Sequence, residues 1–248
     1  MGIVIIVPLF NEAKRWNENF FESLLEIDYV NWVFVDDGSD DETFNILLEF
    51  KLKHPEIEII KHDENSGKSN AIKTGMIFAF DNVLINDFGW IGFMDSDGAF
   101  SKEDVVRIVG KIGEMDFNYD SIWSSRIALS GRKIERSLIR HHISRVIASY
   151  FGLFLVRLPY DTQSGFKIYK ADLSLKKSLE IEFKTKWFFD IELMCNIESV
   201  NQKQLRIWEE PLLSWKEISG SKIKIRSFTK FLIEIIQVTF KLRISAKL

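Results

Sequence analysis

A chain of 248 residues with 46% apolar and 13% aromatic content is long enough for one sizeable core and too rich in large side chains for disorder. One cysteine, Cys195, and four histidines, His54, His62, His141 and His142, share no spacing that suits a disulfide framework or a Cys/His metal site. The formal net charge of −3 conceals an asymmetry: residues 221–248 carry seven Lys/Arg against the single Glu234, which leaves the preceding 220 residues at −9, and no nucleic-acid partner is expected.

The first residues, MGIVIIVPLF, enter an apolar run with neither a basic leader nor a small-residue cleavage site, so no secretory signal is expected and the chain reads as cytoplasmic. IVIIV (3–7) predicts a strand, Phe20, Phe21, Leu24 and Leu25 recur at helical spacing, and WVFVD (32–36) predicts a second strand, which is βαβ punctuation. A stripe of Phe44, Leu47 and Leu48, the strand IEIIK, a helix from Lys68 and the strand WIGFMD follow. Ser101 and Asp104 form a capping box that opens a helix with Val105, Val106, Val109 and Ile112 inward. Together these elements predict an α/β fold with a mostly parallel central sheet flanked by helices on both faces. Beyond residue 115 the pattern loosens, with SIWSSR read as a strand and residues 136–156 as a long amphipathic segment. No stretch approaches the roughly 18 to 20 apolar residues that cross a bilayer.

In an open parallel sheet, ligands bind beyond the carboxyl ends of the strands. Each predicted strand there ends in polar residues: Asn11 and Glu12, then Asp36 and Asp37, then Asp95 and Asp97. MDSDG sets two carboxylates on either side of a serine, so Asp95 and Asp97 can face one hard cation and its bridging phosphates. Oxygen donors favour Mg²⁺ or Mn²⁺, although a solvated Asp/Gly turn has the same composition. VDDGSDD holds Asp36, Asp37, Asp40 and Asp41, like charges that repel unless something binds or caps there. Asp40 or Asp41 can cap the next helix, whereas Asp36 and Asp37 precede the turn glycine, where an acceptor carboxylate suits a base or ribose. Gly67, Lys68 and Ser69 invite a P-loop reading, but that pattern needs a glycine five residues before Gly67 and the position is His62. Gly67, Ala71 and Gly75 recur every four residues instead, which lets a helix lie close to a sheet. A nucleotidyltransferase would need a glycine-rich basic turn after the first strand, where this chain has VPLFNEAKR.

Taken in order, PLFNE, VDDGS, NSGKSNA and MDSDG resemble the family 2 glycosyltransferases of GT-A fold. SSR (124–126), DTQSGFKIY (161–169), FFDIELM (188–194) and SWKEISGSK (214–222) resemble the branch that charges a polyprenyl or dolichyl phosphate. Ala99 in DSDGAF, where the mannosyl type commonly carries glutamine, and WKEISGSK resemble the glucosyl type, which makes UDP-glucose the favoured donor. The resemblance implies a GT-A, Rossmann-like catalytic domain for nucleotide-diphospho-sugar transfer over residues 1–215, with a basic amphipathic tail over 216–248. It implies Pro8, Asn11, Glu12, Asp36, Asp37, Gly67 and Lys68 at the donor and Asp95 and Asp97 at the metal and diphosphate. Arg126 falls near the transferred group, and Arg126, Arg136, Arg140, Gln163 and Ser164 on the acceptor side. Asp97, Arg126 and Asp190 are the implied catalytic residues, and Asp190 and Glu192 fall where relatives with hydroxyl acceptors keep their base. The chain departs from its membrane-anchored relatives in lacking a long hydrophobic segment, and in having Ser164 where a cysteine is frequent.

The reaction expected is direct displacement at the anomeric carbon with inversion, the cation stabilising the leaving diphosphate. A phosphate monoester is largely ionised at neutral pH and needs only positioning; a glycan hydroxyl needs a base, for which Asp190 is the candidate. Non-catalytic nucleotide-sugar binding is a third reading, opposed by the intact DxD. In the tail, Phe228, Phe231, Leu232, Ile235 and Ile236 form an apolar stripe flanked by Lys222, Lys224, Arg226, Lys230, Lys241, Arg243 and Lys247. That is the pattern of a helix on an anionic membrane surface, or of one packed on the core or on a second copy of the chain in a homodimer. Arg136, Arg140 and Arg145 beside Ile143, Ile147, Tyr150 and Phe151 repeat it, so the location expected is peripheral, on the inner face of a membrane.

Overall fold

The computed structural model describes residues 2–82, 88–114, 117–135, 146, 149–152, 158–216 and 228–245. The chain divides into two compact units, Met1–Asn118 with Gly165–Asp172, and Tyr119–Ser164 with Leu173–Leu248.

The first unit is a sheet built from β1 (Gly2–Leu9), β2 (Val30–Asp36), β3 (Glu58–Lys61), β4 (Phe88–Met94) and a strand from later in the chain, Phe166–Lys170. Its order is β3-β2-β1-β4 and then the late strand. The first four are parallel neighbours, and the late strand runs antiparallel to β4, with Phe93 opposite Lys167. All eight residues of β1 are buried, as a strand covered on both faces requires.

The helices of this unit are α1 (Glu18–Leu25), α2 (Thr43–Lys53), α3 (Lys68–Asp81) and α4 (Lys102–Gly110). Successive residues of a strand point to opposite faces, and β2 displays both environments. Phe34 meets α1 and α2, its ring centroid 5.4 Å from Phe21 and 6.0 Å from Phe50, with Trp16 stacked on Phe21 at 4.5 Å. Val35 points the other way with Ile6 toward α3, where a methyl group on Gly75 would strike both side chains. The small-residue spacing in α3 is therefore a packing device: Ala71 and Gly75 are buried and bring the helix axis close to the sheet.

Two helical stripes differ from the sequence expectation. In α2 the buried residues are Thr43, Leu47 and Phe50, whereas Leu48 is exposed. In α4 they include Val105, Ile108 and Val109, whereas Val106 is exposed. The 3.6-residue period sets the inward row: in α2 it runs from Thr43 to Leu47 and Phe50 and in α4 from Val105 to Ile108 and Val109, which leaves Leu48 and Val106 off it. The capping box is present, with Ser101 Oγ accepting from the Asp104 backbone N–H at 3.1 Å.

The second unit contains β5 (Ser121–Ser125), β6 (Lys133–Glu135), β8 (Ile207–Pro211) and β9 (Ser214–Lys216), the late strand of the first unit being β7. β5 pairs in parallel with β8, and β6 with β9. Its helices are α5 (Leu173–Glu180), α6 (Phe189–Asn201) and α7 (Phe228–Ser245), with α6 packed against both others. Every residue of α6 from Phe189 to Glu198 is buried, which is why its pattern lacks a clean polar face. Of the segment 136–156, Arg136, Arg140, Arg145, Ile143 and Ile147 lie outside the described residues.

Candidate active site

In the first unit, the ends of β1, β2 and β4 bring together most of the residues expected at a donor. The loop after β1 is stitched to the loop after β2. The Asn11 backbone N–H donates to Ser39 Oγ at 3.0 Å, Asn11 Oδ1 accepts from the Asp40 N–H at 2.9 Å, and the Glu12 N–H donates to Thr43 Oγ1 at 2.8 Å. Asn11 holds a left-handed backbone, φ 54°, in which asparagine is tolerated. Pro8, inside β1, pairs with Val35 and is buried.

The acidic loop resolves into distinct roles. Asp37 is almost fully buried and saturated: Oδ1 accepts from the Ser66 N–H at 2.9 Å and Ser66 Oγ at 2.7 Å and meets His62 Nδ1 at 2.9 Å, while Oδ2 accepts from the Gly67 N–H at 2.7 Å. Asp37 thus fixes the turn that enters α3. Asp36 is fully buried, takes the Ser39 hydroxyl on Oδ1 and has no hydrogen bond on Oδ2 among the described residues. Asp41 caps the start of α2 through Thr43. Sequence reasoning missed His62, which joins Asp37 on one ring nitrogen and Thr74 Oγ1 at 3.0 Å on the other; a lone histidine before GKS carried no signal of its own.

Past the end of β4, Asp95 is partly exposed, its backbone N–H donating to the Gly165 carbonyl at 2.9 Å. Gly165 is a cradle: a Cβ there would collide with the Asp95 carboxylate. Lys68 Nζ stands 2.5 Å from Asp95 Oδ1, a charge contact without hydrogen-bond alignment. Asp97 Oδ1 accepts from the Ala99 N–H at 3.1 Å. Burial raises the Asp97 carboxyl above its ordinary range and the Asp95 charge adds to that, with the Ala99 amide and Lys68 opposing. Burial likewise raises Glu12 against its ion pair with Arg15, and the Asp97 charge contributes to the rise.

The Asp95 charge disfavours ionisation of Asp97, a cost that a cation would relieve. Among the described residues no group of three or more His, Cys, Asp or Glu side chains is set to hold a metal alone. The donors available are two carboxylates, which fit an oxygen-seeking ion whose remaining positions go to phosphate and water. A cleft of about 720 Å³ lined by His62, Ser66, Asn70 and Thr74 contains none of the expected site residues.

In the second unit, Arg126 follows β5 and is gripped by Asp161. Nε and Nη2 donate to the two carboxylate oxygens at 2.7 and 2.8 Å, and the Arg126 backbone N–H donates to Oδ2 at 3.0 Å. The guanidinium also lies 5.1 Å from the ring centroid of Trp215. Glu209 on β8 holds Asp161 in turn, accepting from the Tyr160 and Asp161 backbone N–H groups at 2.8 and 2.7 Å. Asp161, Glu209 and Trp215 were not singled out from the sequence, because partners that orient a functional arginine are distant along the chain.

Ser164 shares a 2.5 Å hydroxyl contact with Ser124, both buried, and Gln163 Nε2 is buried without a hydrogen-bond partner among the described residues. Asp190 lies buried in the first turn of α6. Glu192 is occupied otherwise: fully buried, it accepts from the Lys184 and Thr185 backbone N–H groups, from Thr185 Oγ1 and from Lys241 Nζ at 2.5 Å. Of the expected acceptor residues, Arg136 and Arg140 lie outside the described residues.

The sequence profile of Glycosyl transferase family 2 matches residues 4–175. The dolichyl-phosphate beta-glucosyltransferase of Saccharomyces cerevisiae is 29% identical, over 89% of this chain and 69% of the yeast protein. That of Trichomonas vaginalis is 27% identical over 96% of this chain and 71% of its own length. Glucosyl-3-phosphoglycerate synthase from Mycobacterium tuberculosis, solved with UDP, superposes with a TM-score of 0.65 at 15% identity, covering all of this chain and 80% of that one. A mannosyltransferase from Pyrobaculum calidifontis, solved with GDP-Man and Mn²⁺, gives 0.59 at 15% identity, covering 99% and 68%. At these identities the structural likeness is one of fold.

Proposed function

The chain belongs to glycosyl transferase family 2 and is a glycosyltransferase of GT-A fold, and from that premise we propose that it moves glucose from UDP-glucose to a polyprenyl or dolichyl phosphate. The observation that carries this reading is the carboxylate pair Asp95 and Asp97 past the end of β4, in a chain whose relatives include the dolichyl-phosphate beta-glucosyltransferases of yeast and Trichomonas vaginalis. Residues 1–215 are the catalytic part in this reading and 216–248 an accessory tail.

Asp95 and Asp97 would hold Mg²⁺ or Mn²⁺, which supplies positive charge to the leaving diphosphate when bound. Lys68, beside Asp95, adds a second positive charge on the same side. Pro8, Asn11, Glu12 and Asp36 line the strand ends where the nucleotide would sit, and Asp37 and Gly67 shape the turn before α3. In the second unit Arg126, held in one orientation by Asp161, presents a fixed guanidinium to a phosphate, for which its fork geometry is suited. Gln163, with a buried donor to spare, and Ser164 belong to the acceptor side. Such an acceptor is already anionic, so no base is required and the protein's work is orientation; Asp190 then serves as a positioning group.

Among the described residues no helix is long and apolar enough to cross a membrane. We place the enzyme peripherally on the inner, cytoplasmic face of an anionic membrane, where its basic tail meets the lipid acceptor.

Incubation with Mn²⁺, UDP-glucose and a short-chain polyprenyl phosphate in detergent tests the reading. A lipid-linked sugar labile to mild acid is the expected product, and Asp97→Ala abolishes it. UDP release only with an oligosaccharide would overturn the acceptor assignment in favour of a glycan hydroxyl, with Asp190 as base.

A further inference from the structure

The terminal helix α7 divides its surface sharply. One face is buried: Glu234, Val238 and Thr239 are each 8% exposed or less. Thr239 Oγ1 donates to Tyr150 Oη at 3.2 Å, and Lys241 reaches Glu192 on α6. On the opposite side Ile233, Ile236 and Phe240 are 55, 67 and 69% exposed. Their spacing of three and four residues puts all three on one stripe of the helix. Scattered exposed apolar residues are ordinary, but three large ones aligned on one helix face are not.

The sequence around them is strongly basic. Residues 221–248 contain seven Lys/Arg and one acid, Glu234. That acid is turned inward, accepting from the Lys186 and Trp187 backbone N–H groups at 3.0 and 2.7 Å. Within residues 221–248 no other acid opposes the seven cations. Trp187, held by Glu234 through its backbone, is itself 40% exposed. Ile236 and Phe240 also border a cleft of about 290 Å³ shared with Lys184 and Lys241.

We propose that the Ile233, Ile236 and Phe240 face of α7 is a docking surface for an anionic lipid bilayer. It deepens the functional reading above, on which it rests for the location of the acceptor, and it names the face that makes the contact. That face differs from the stripe expected from sequence, since Ile235 is only partly exposed. An apolar helix face in a segment of net positive charge binds such a surface through buried area and charge together.

The same helix touches the interior of the second unit. Glu234 and, through Lys241, Glu192 hold residues 184–187, the loop that leads into Asp190. The docking helix is thus bonded to a segment that adjoins the expected site.

The test is sedimentation of the full chain with vesicles of phosphatidylglycerol and phosphatidylcholine, and with phosphatidylcholine alone. The wild type is expected to prefer the anionic vesicles and to lose binding as salt rises. Ile236→Ser with Phe240→Ser, which leaves the charge unchanged, is expected to weaken that binding at least about tenfold, since it withdraws two large apolar side chains from the interface. Thermal unfolding should be unchanged, because both positions are exposed. Transfer to a short-chain polyprenyl phosphate in detergent should stay within about twofold, as neither side chain belongs to the site, so a failed docking experiment and a failed acceptor assignment are read separately. Equal binding by the double variant, or no preference for anionic vesicles, overturns the proposal. So does a wild-type dimer that the double variant converts to monomer with vesicle binding intact, which would assign the face to a second copy of the chain.

Discussion

Lys68 and Asp95 form a cation–carboxylate contact of 2.5 Å between the first residue of α3 and the residue after β4. One oxygen of the pair expected to hold a metal is therefore already in contact with an ammonium. Both side chains are partly exposed, at 43 and 33%, so the contact is screened and exchangeable. A divalent ion bound there, as proposed, would compete with this lysine.

Lys68→Ala is accordingly expected to tighten Mn²⁺ binding in the absence of donor by about two- to fivefold, the range commanded by an exposed ion pair of up to about 1 kcal/mol. Transfer should slow, since the variant removes a charge that the proposed site sets beside the diphosphate. Calorimetric titration with Mn²⁺ reads the first effect alone. Unchanged affinity would mean that the ammonium and the metal do not share an oxygen.

Gly165→Ala probes the same carboxylate from behind. A methyl group at Gly165 would occupy the volume of the Asp95 carboxyl, so Asp95 must rotate away. The expected outcome is loss of Mn²⁺ binding and at least about a hundredfold slower transfer, because misplacement by about an ångström is enough to cost that much. Retained metal affinity in a folded variant would refute the cradle.

The Asp161 fork predicts an effect confined to the acceptor. Asp161→Asn removes one of the paired charge-assisted contacts on Arg126, and the arginine loses its fixed plane. KM for the polyprenyl phosphate should rise about tenfold, roughly 1.4 kcal/mol, while UDP-glucose affinity is unchanged. Steady-state kinetics with each substrate varied in turn separates the two.

Glu234 supplies a pH signature. Burial raises its carboxyl above the ordinary 4.5, with the Trp187 and Lys186 amides opposing. The folded chain therefore holds this proton to higher pH than the unfolded chain. Stability from this group falls as pH rises from 4.5 through the raised value. Glu234→Gln keeps an oxygen for both amides and should flatten that part of the thermal-midpoint profile, whereas Glu234→Ala leaves two donors unsatisfied and should cost about 1–3 kcal/mol. Identical slopes for wild type and Glu234→Gln would contradict the assignment.

The strands and helices up to residue 112 were legible because apolar period, capping box and small-residue spacing all point to the same element, as at Ser101 and Gly75. The strand-end carboxylates were legible by position. What the sequence concealed are partners made by folding. Asp37 read as an acceptor for a base or ribose, and the structure adds that its oxygens take Ser66, Gly67 and His62. Glu192 read with Asp190 as falling where relatives keep a base, and the structure adds that it is buried and holds Lys241 and Thr185. Asp161 and Trp215 act on Arg126 from 35 and 89 residues away along the chain, and no local pattern encodes such a distance.

β7 carries a consequence for synthesis. It arrives more than forty residues after the rest of its unit, yet it pairs with β4 along the strand and sets Gly165 beneath Asp95. A nascent chain, or a fragment ending at Asn118, has all four parallel strands and both aspartates but lacks the strand that seats one of them. The order in which the polypeptide is made thus withholds the edge proposed to hold the metal until the intervening segment exists, and no N-terminal piece ending before β7 is expected to bind the cation there.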